Sequence, residues 1–583
     1  MGDDSGDHDQ RLVPPVSGGG ALRAGAVARG EAAARRLGSR AAEIRAALVV
    51  GLQGARSRLA VPVPAAAPAS PAGWQHDGAE DWRFLRRPAL LGFVALVSIA
   101  AGASLTSSPF KLEMPGTWFF GVPVVQSSSD QATLLLGLVA VYGGLVLLAR
   151  VWYGLWKALV LRPNVPVRYL ALMLALWTVP MLVVAPLFSR DVFSYAAQGE
   201  MVSRHINPYN YGPYTLGSGP YPNPVDPLWQ NTPAPYGPLF LMIDGWLATL
   251  SFHHELVTVV FLRLWALAGV ALIAWCIPKL ARSYGRDPGP VFVLAVLNPL
   301  VLLTLIGGAH NDAIMAGLLV AGLTAARYKH PVAGVLLCAL AAAIKVPAAL
   351  GILYLGWEWL GAGLPVRQRI RPVVTAGLLA SAVMAFFSVV SGLGWGWVAN
   401  LETPGAVRSW LAPATGVGLA LSGLAHTVGI GVSLAGVLSF TRVVGLAAAA
   451  GLAAYLLWHS DRIGGMRALG LSMLLFVLLG PVVQPWYLTW GIILLAPIAV
   501  GRLRVVLVVF SAVVPFIGLT GGRTLISELL RADPAAVVAS VAVLVTLLVM
   551  PLGRWTTSWW RGPSEADPAI PADGRRPAVA LEA

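Results

Sequence analysis

Apolar stretches of nearly bilayer-spanning length recur along this chain, and they constrain its fold more than any other feature. A transmembrane helix needs about 20 consecutive apolar residues. The stretches predict spans near 88–106, 131–149, 169–188, 256–278, 290–307, 312–327, 331–345, 347–360, 372–392, 433–457, 467–482, 486–500, 503–520 and 535–553. We therefore predict an all-α integral membrane protein with about 12–14 transmembrane helices and extracytoplasmic loops.

The composition agrees with this prediction. Of the residues, 57% are hydrophobic and 12% are charged, whereas a water-soluble domain carries roughly a quarter charged residues. A soluble surface cannot be built from this chain, so its length predicts one helical bundle rather than several soluble domains.

Two pairs of predicted spans are short and meet at a proline. One pair meets at Lys345-Val346-Pro347 and the other at Gln484-Pro485. Because proline interrupts the hydrogen-bond ladder of a helix, each pair is either two short spans or one kinked helix with a re-entrant piece.

The short loops that carry arginine and lysine alternate with longer polar connections. Cytoplasmic loops are enriched in these cations, so the termini are predicted to lie in the cytoplasm of a plasma-membrane protein. The outer connections are then 107–130, 189–255, 393–432 and 521–534. We predict a transmembrane catalytic domain at 86–555, with 189–255 as its main outer loop.

The two ends of the chain are polar. Residues 1–85 are basic and then Pro/Ala-rich, and residues 556–583 are Pro-rich, so both are predicted to be disordered cytoplasmic tails. Residues 30–60 also fit a basic amphipathic helix on the inner leaflet.

The net charge of +14 comes from cations between spans and in the tails, which fits membrane topology and argues against a nucleic-acid partner. Cys276 and Cys338 lie inside apolar segments, so neither a disulfide nor a metal site is predicted. No glycine-rich nucleotide loop is present in the sequence. We expect no cofactor and no soluble nucleotide donor.

An aspartate follows the third span directly, within Ser189-Arg190-Asp191. A carboxylate near the lipid headgroups suits an acid or base that acts on a lipid-linked substrate. The alternative is that Asp191 only caps a short helix over Val192–Val202.

A second polar group is the turn His310-Asn311-Asp312 between two spans. Asn311 or Asp312 suits a helix cap, and His310 suits donation to a phosphate oxygen or to an acceptor sugar. Aromatic residues in the outer connections suit sugar rings, although aromatic residues also populate membrane interfaces.

Cations also occur where the topology does not require them. Arg263 lies within a span, Lys345 between two short spans and Arg442 near the start of a span. Arg408 and Arg523 lie in the outer connections 393–432 and 521–534. Ionisable groups at membrane depth face a cavity or a partner, so these five predict a phosphate-binding basin, unless some of the side chains extend to the membrane surface instead.

Several motifs together resemble the actinobacterial polyprenol-phosphomannose-dependent α-1,6-mannosyltransferases, of the GT-C glycosyltransferase class. They are 189–195 (SRDVFSY), 232–241 (TPAPYGPLFL), 308–312 (GAHND), 407–410 (VRSW) and 483–488 (VQPWYL), and the resemblance runs from about residue 88 to 553. It implies transfer of mannose, with inversion, from a polyprenyl-phosphate donor to the 6-hydroxyl of a lipid-anchored α-1,6-mannan, the core of lipomannan and lipoarabinomannan.

The resemblance also implies roles for individual residues. Asp191 matches the acidic position of the family and is expected to be the general base. The expected donor-phosphate contacts are His310, Lys345, Arg408, Arg190 and Arg523, and the expected sugar or acceptor contacts are Tyr195, Tyr236, Asn311, Asp312, Gln484, Trp486 and Tyr487.

Two other functions remain open from the sequence. A flippase or transporter of polyprenyl-linked glycans also needs aromatic and cationic groups near headgroups, although internal repeats typical of transporters are not obvious here. A GT-C transferase with a different acceptor is the second alternative. The oligomeric state is not predicted.

Overall fold

The computed structural model describes residues 78–105, 117–118, 122–123, 131–408 and 411–517, and this part of the chain is almost entirely helical. Its longer helices are α1 (Gly78–Ser104), α2 (Gln131–Leu161), α3 (Val167–Val183), α4 (Asp191–Ser203), α5 (Pro238–Leu250), α6 (Glu255–Ser283), α7 (Pro288–Ala295), α8 (Asp312–Arg327), α9 (Pro331–Ile344), α10 (Ala349–Glu358), α11 (Val366–Val390), α12 (Pro413–Thr427), α13 (Leu434–Trp458), α14 (Gly465–Leu479), α15 (Leu488–Leu495) and α16 (Gly501–Val513).

Shorter elements join these helices. A π-helix spans Val301–Gly307, and a longer 3₁₀-helix spans Asn400–Ala406. Single turns occupy Pro213–Leu216, Pro227–Gln230, Val346–Ala348, Gly396–Ala399, Ser460–Ile463, Pro485–Tyr487, Ala496–Ile498 and Val514–Phe516. Strands β1 (Thr117–Trp118) and β2 (Val122–Pro123) form one small antiparallel pair.

Five of the described helices, α1, α2, α6, α11 and α13, are long and apolar enough to cross a bilayer. The π-helix and α8 add a sixth span if they are one broken span, bent by 113°. This confirms the predicted all-α membrane fold. The prediction of about 12–14 spans is larger because it also included shorter apolar helices, such as α9 and α14.

Close contacts between glycines hold the central helices together. A Cβ atom on Gly317 of α8 would lie 2.7 Å from the carbonyl oxygen of Gly269 in α6, and one on Gly334 of α9 would lie 2.7 Å from that of Gly322 in α8. Lipid supplies little hydrophobic drive for helix association, so small residues that permit close packing stabilise such interfaces. The α6, α8 and α9 group carries several of the polar side chains discussed below.

The outer helices show an apolar face to their surroundings. Only 17% of the apolar stretch of α11 and 22% of the apolar stretch of α13 are buried. Side chains such as Val389 in α11 and Phe440 in α13 are exposed. So large an exposed apolar surface is typical of a lipid-facing helix rather than a soluble one.

Several predicted boundaries need correction. Helix α1 begins at Gly78, so the end of the predicted 1–85 tail is helical, and Asp81 there is buried and paired with Arg162. Region 393–432 contains α12, which sequence analysis had missed. Both proline breaks are confirmed. The predicted span at 535–553, the tail at 556–583 and residues 1–77 lie outside the described residues.

Candidate functional site

Asp191 and His310 face each other across a narrow gap. Asp191 is the first residue of α4, and His310 lies in the turn that joins the π-helix to α8. The Oδ2 atom of Asp191 lies 3.6 Å from Nε2 of His310. The histidine side chain is fully buried, whereas that of Asp191 is 20% exposed. A substrate can therefore reach the carboxylate side of the pair.

Two contacts fix the histidine ring. Its Nδ1 atom lies 2.7 Å from the carbonyl oxygen of Thr304, and the ring stacks on the indole of Trp486 with centroids 3.8 Å apart. A carbonyl oxygen can only accept, so Nδ1 carries a hydrogen, and Nε2 carries one only when the ring is cationic.

The backbone of this turn explains its glycine. A Cβ atom on Gly308 would lie 2.7 Å from the His310 ring and 2.7 Å from the Thr304 carbonyl oxygen. The next residue, Ala309, has a φ of 55°, a conformation that non-glycine residues rarely adopt. Strained residues of this kind cluster at functional sites.

Asp191 does not act as a helix cap. Arg190 occupies the N-cap position of α4, and the helix has no side-chain cap hydrogen bond. Burial raises the pKa of the Asp191 carboxyl above its usual range, and the charges of His310 and Lys345 oppose this rise. A carboxylate with a raised pKa is a stronger base, which suits proton abstraction near neutral pH.

A second acid beside this pair is hydrogen-bonded on both oxygens. The Nζ atom of Lys345 lies 2.9 and 3.0 Å from the two carboxylate oxygens of Asp312 and 3.3 Å from Oδ1 of Asn311. The indole of Trp490 donates to Asp312 at 2.6 Å. Asn311 occupies the N-cap position of α8, but the helix has no side-chain cap hydrogen bond.

Tyrosine rings form the wall next to these acids. The rings of Tyr195 and Tyr236 meet nearly at right angles with centroids 5.2 Å apart, and Tyr487 stacks near Trp490 with centroids 4.7 Å apart. The charge of Asp191 acts on all three phenols. Burial raises the pKa of Tyr195 and of Tyr236, so both remain hydrogen-bond donors at neutral pH.

Several buried polar atoms here have no hydrogen-bond partner among the described residues. They are Ser194 Oγ, His310 Nε2, Asn311 Nδ2 and Trp486 Nε1. Buried polar groups are normally hydrogen-bonded, so a cluster of unpaired groups indicates a place where a polar ligand binds. Donors, acceptors and aromatic faces together suit a sugar.

The remaining predicted site residues lie in different surroundings. Gln484 is half-buried and directly precedes the turn that carries Trp486 and Tyr487. Arg408 is exposed, and within the described residues no hydrogen bond or ion pair joins it to Asp191 or His310. Arg523 lies outside the part of the chain that the structure describes.

Two of the five cations predicted to form a phosphate basin bind the backbone instead. Arg263 donates to the carbonyl oxygens of Leu182 and Gly307, and Arg442 donates to those of Gly405 and Val407. Each guanidinium satisfies carbonyl groups that the local secondary structure leaves unpaired.

Sequence analysis missed Trp490 and Thr304 as site residues. Trp490 follows Trp486 at helical spacing in the same apolar segment, which could have indicated a shared face. Thr304 gave no such signal, because it acts through its backbone carbonyl. No group of three or more His, Cys, Asp or Glu side chains in the described ranges is arranged to hold a metal ion.

Two family models match the chain. One, described as the N-terminal domain of α-(1→6)-mannopyranosyltransferase, matches residues 89–361, and the other, the MptB C-terminal domain, matches residues 414–550. The first match contains Asp191, His310 and Lys345. No solved structure matches the chain.

Relatives from three bacterial genera carry the same name. A probable α-(1→6)-mannopyranosyltransferase of Mycolicibacterium smegmatis is 32% identical over 533 residues, 85% of this chain and 92% of the relative. α-(1→6)-Mannopyranosyltransferase A of Mycobacterium tuberculosis is 31% identical over 71% of this chain and 81% of its own length. The corresponding enzyme B of Corynebacterium glutamicum is 29% identical over 55% of this chain and 57% of its own. The chain therefore belongs to the α-(1→6)-mannopyranosyltransferase family.

Proposed function

We propose that this chain is an inverting mannosyltransferase that moves mannose from a polyprenyl-phosphate carrier to the 6-hydroxyl of a lipid-anchored α-1,6-mannan, on the extracytoplasmic side of the plasma membrane. The names of its relatives support a mannosyltransferase. The proposed product is the core of lipomannan and lipoarabinomannan.

The Asp191–His310 gap is the observation that carries the proposal. Oδ2 and Nε2 are 3.6 Å apart, too far for a direct hydrogen bond. A hydroxyl oxygen placed beside the gap can lie within about 3 Å of both atoms, the reach that a general base needs.

In the proposed reaction, Asp191 takes the proton of the acceptor 6-hydroxyl. The acceptor oxygen attacks C1 of the donor mannose from the face opposite the phosphate, and the C1–O bond to phosphate breaks. Polyprenyl phosphate leaves with the electron pair. One displacement on a β-linked donor gives an α-linked product, which requires a single base.

Stabilisation of the leaving phosphate is assigned to cations near the pair. His310 is adjacent to Asp191, and Arg190 directly precedes it. Two hydrogen bonds of Lys345 already go to Asp312, so we assign Lys345 mainly an electrostatic role. Arg408 and Arg523 are proposed to contact the phosphate from other segments. The sugar contacts are proposed for Tyr195, Tyr236, Asn311, Asp312, Gln484, Trp486 and Tyr487.

The test uses membranes that contain the chain, labelled polyprenyl-phosphomannose and a short α-1,6-mannoside. Asp191→Asn should lower transfer by about 10²- to 10⁴-fold at equal protein abundance, the usual contribution of a general base. Asp244→Asn is the matched control. Asp244 is fully buried in α5, and burial raises the pKa of its carboxyl well above the usual range, so asparagine resembles the protonated acid already present.

The outcomes separate the alternatives. Full transfer by Asp191→Asn would remove the base assignment. A wild-type chain that moves the lipid-linked sugar across vesicles without extending the mannoside would identify a flippase. Transfer only to another hydroxyl compound would leave the GT-C reaction with a different acceptor.

The orientation has its own test. Ser218 lies exposed in the 189–255 segment, and Ala362 lies exposed between α10 and α11. In intact cells, a membrane-impermeant maleimide should label Ser218→Cys but not Ala362→Cys. Both native cysteines are buried, so background labelling should be low. The reverse pattern would place Asp191 on the cytoplasmic side and contradict the proposal.

A further inference from the structure

Arg263 is a buried arginine about two turns into an apolar helix. It lies in α6 with 1% of its surface exposed. Ionisable groups at this depth are costly, and they are retained where they serve a partner. The partners here are backbone carbonyl groups.

The guanidinium group binds two separate segments of the chain. Its Nη1 atom donates to the carbonyl oxygen of Leu182 at 2.8 Å and also to that of Val184, and its Nη2 atom donates to Gly307 at 2.8 Å. Leu182 and Val184 lie at the end of α3, whose last carbonyl groups have no partner within the helix. Gly307 ends the π-helix.

These two segments lead directly to the proposed catalytic pair. The chain runs from Val184 through a short irregular stretch to Asp191, and from Gly307 through one turn to His310. A further hydrogen bond joins the two stretches, because the N–H of Leu187 donates to the Gly307 carbonyl oxygen at 3.1 Å. Arg263 and Leu187 therefore share one acceptor.

Each connecting stretch contains a residue in the left-handed region. Phe188 has a φ of 61° and Ala309 a φ of 55°. Such conformations persist where the surrounding structure holds them in place. One strained residue precedes each member of the pair. The positions of Val184 and Gly307, where the two stretches begin, therefore determine where Asp191 and His310 lie.

We infer that Arg263 is a positioning residue that sets the separation of Asp191 and His310 by holding the ends of α3 and of the π-helix together. This inference rests on the proposed function, since the pair is the proposed base and its neighbour. The planar fork of arginine can serve three carbonyl oxygens in fixed directions, whereas lysine offers one nitrogen atom.

The experiment compares Arg263→Lys and Arg263→Met with the wild type, in membranes, per mole of folded protein. A misplacement of the pair should lower kcat by about 10- to 100-fold in Arg263→Met, with a smaller loss in Arg263→Lys. The KM for the lipid donor should change much less, because Arg263 binds backbone carbonyl groups and is not proposed to touch the donor.

The pH profile gives a readout that a merely structural role would not move. The charges of His310 and Lys345 lower the pKa of the Asp191 carboxyl, and the charge of Asp312 raises it. The phenols of Tyr195 and Tyr236 also lie near this carboxyl. If His310 moves away, the acid limb of kcat should shift to higher pH.

Arg369 offers a matched control. It is also buried, with 2% of its surface exposed, and it donates to the carbonyl oxygens of Trp357 and Leu364 at 3.0 Å. Arg369 also forms an ion pair, since its Nη2 atom lies 2.6 Å from a carboxylate oxygen of Asp461. It lies near the start of α11 and is separated from Lys345 by the whole of α10 along the chain. Arg369→Lys and Arg369→Met should lower abundance but leave kcat and the acid limb of the surviving protein unchanged.

Wild-type kcat and an unshifted acid limb in Arg263→Met would overturn the inference. If Arg263→Met does not accumulate, wild-type kcat and an unshifted acid limb in Arg263→Lys would overturn the inference instead. Equal losses in the lysine variants of Arg263 and Arg369 would also overturn it, by showing a general folding effect. Activity in Asp191→Asn would instead overturn the proposed function, so the two failures are distinguishable.

Discussion

The site contains two carboxylates that each face a basic side chain, and the two pairs are built differently. Asp191 and His310 are 3.6 Å apart, and the acid is 20% exposed. Asp312 and Lys345 are 2.9 Å apart, the acid is fully buried, and Trp490 gives it a further hydrogen bond. The first pair is open to a substrate, whereas the second is closed.

This difference supports the proposal that Asp191, rather than Asp312, is the base. Both oxygens of the Asp312 carboxylate already accept hydrogen bonds from Lys345 and Trp490, which leaves this acid little capacity to accept a proton from a substrate. A carboxylate across a gap from an unpaired ring nitrogen retains that capacity. Sequence analysis placed Asp191 and Asp312 at similar positions, each beside the start of a helix, and only their partners distinguish them.

The largest expected effect is the loss of the closed pair. Asp312→Asn should destabilise the protein by about 3–5 kcal/mol, because it leaves the Lys345 ammonium buried without its counter-ion. The thermal midpoint in detergent measures this loss. Asp191→Asn, the control, should leave the midpoint nearly unchanged. An Asp312→Asn variant with wild-type stability and no activity would show that Asp312 belongs to the chemistry.

Replacing the ring of the open pair should act on rate rather than on stability. His310→Gln should lower kcat by about 10- to 100-fold and move the acid limb of the pH profile upward, because the charge that lowers the pKa of Asp191 is lost. A titration of kcat against pH measures both changes. An acid limb that stays in place would mean that His310 does not act on Asp191.

A substitution at Trp490 removes one hydrogen bond of the closed pair and leaves its two charges in place. Trp490→Phe removes the donor that lies 2.6 Å from Asp312 and should cost about 1.5–3 kcal/mol, the range for a hydrogen bond to a charged group. Trp486→Phe is the matched variant, since the indole N–H of Trp486 has no partner in the described part of the chain. Equal thermal midpoints for the two variants would contradict the assigned hydrogen bond.

The smallest effect is the pH dependence of the wild type itself. Only ionised Asp191 can accept a proton, so the rate should fall as pH drops through the pKa of this carboxyl. Burial raises that pKa above the ordinary value for aspartate of about 3.9, so the acid limb should lie above this value. A rate that is constant down to about pH 4 would show that the carboxyl is not buried in the working enzyme.

Sequence analysis predicted the membrane class and the interruptions of the bundle. Apolar runs and the prolines at positions 347 and 485 act through local backbone chemistry, which the sequence displays directly. Asp191 and His310 were singled out as candidates for a similar reason, since each polar group stands at the edge of an apolar run. The same reasoning failed for Arg263 and Arg442, because the carbonyl oxygens that they bind come from distant segments.

The sequence by itself determined that this chain is a helical membrane protein and which polar side chains lie between its apolar segments, because hydropathy and proline act locally. Only the tertiary structure decided that Lys345 pairs with Asp312, that His310 faces Asp191 and that Arg263 joins the segments that lead to Asp191 and His310. The physical reason is that the state of a buried charge depends on the few ångströms around it. Those neighbours come from residues that are far apart along the chain.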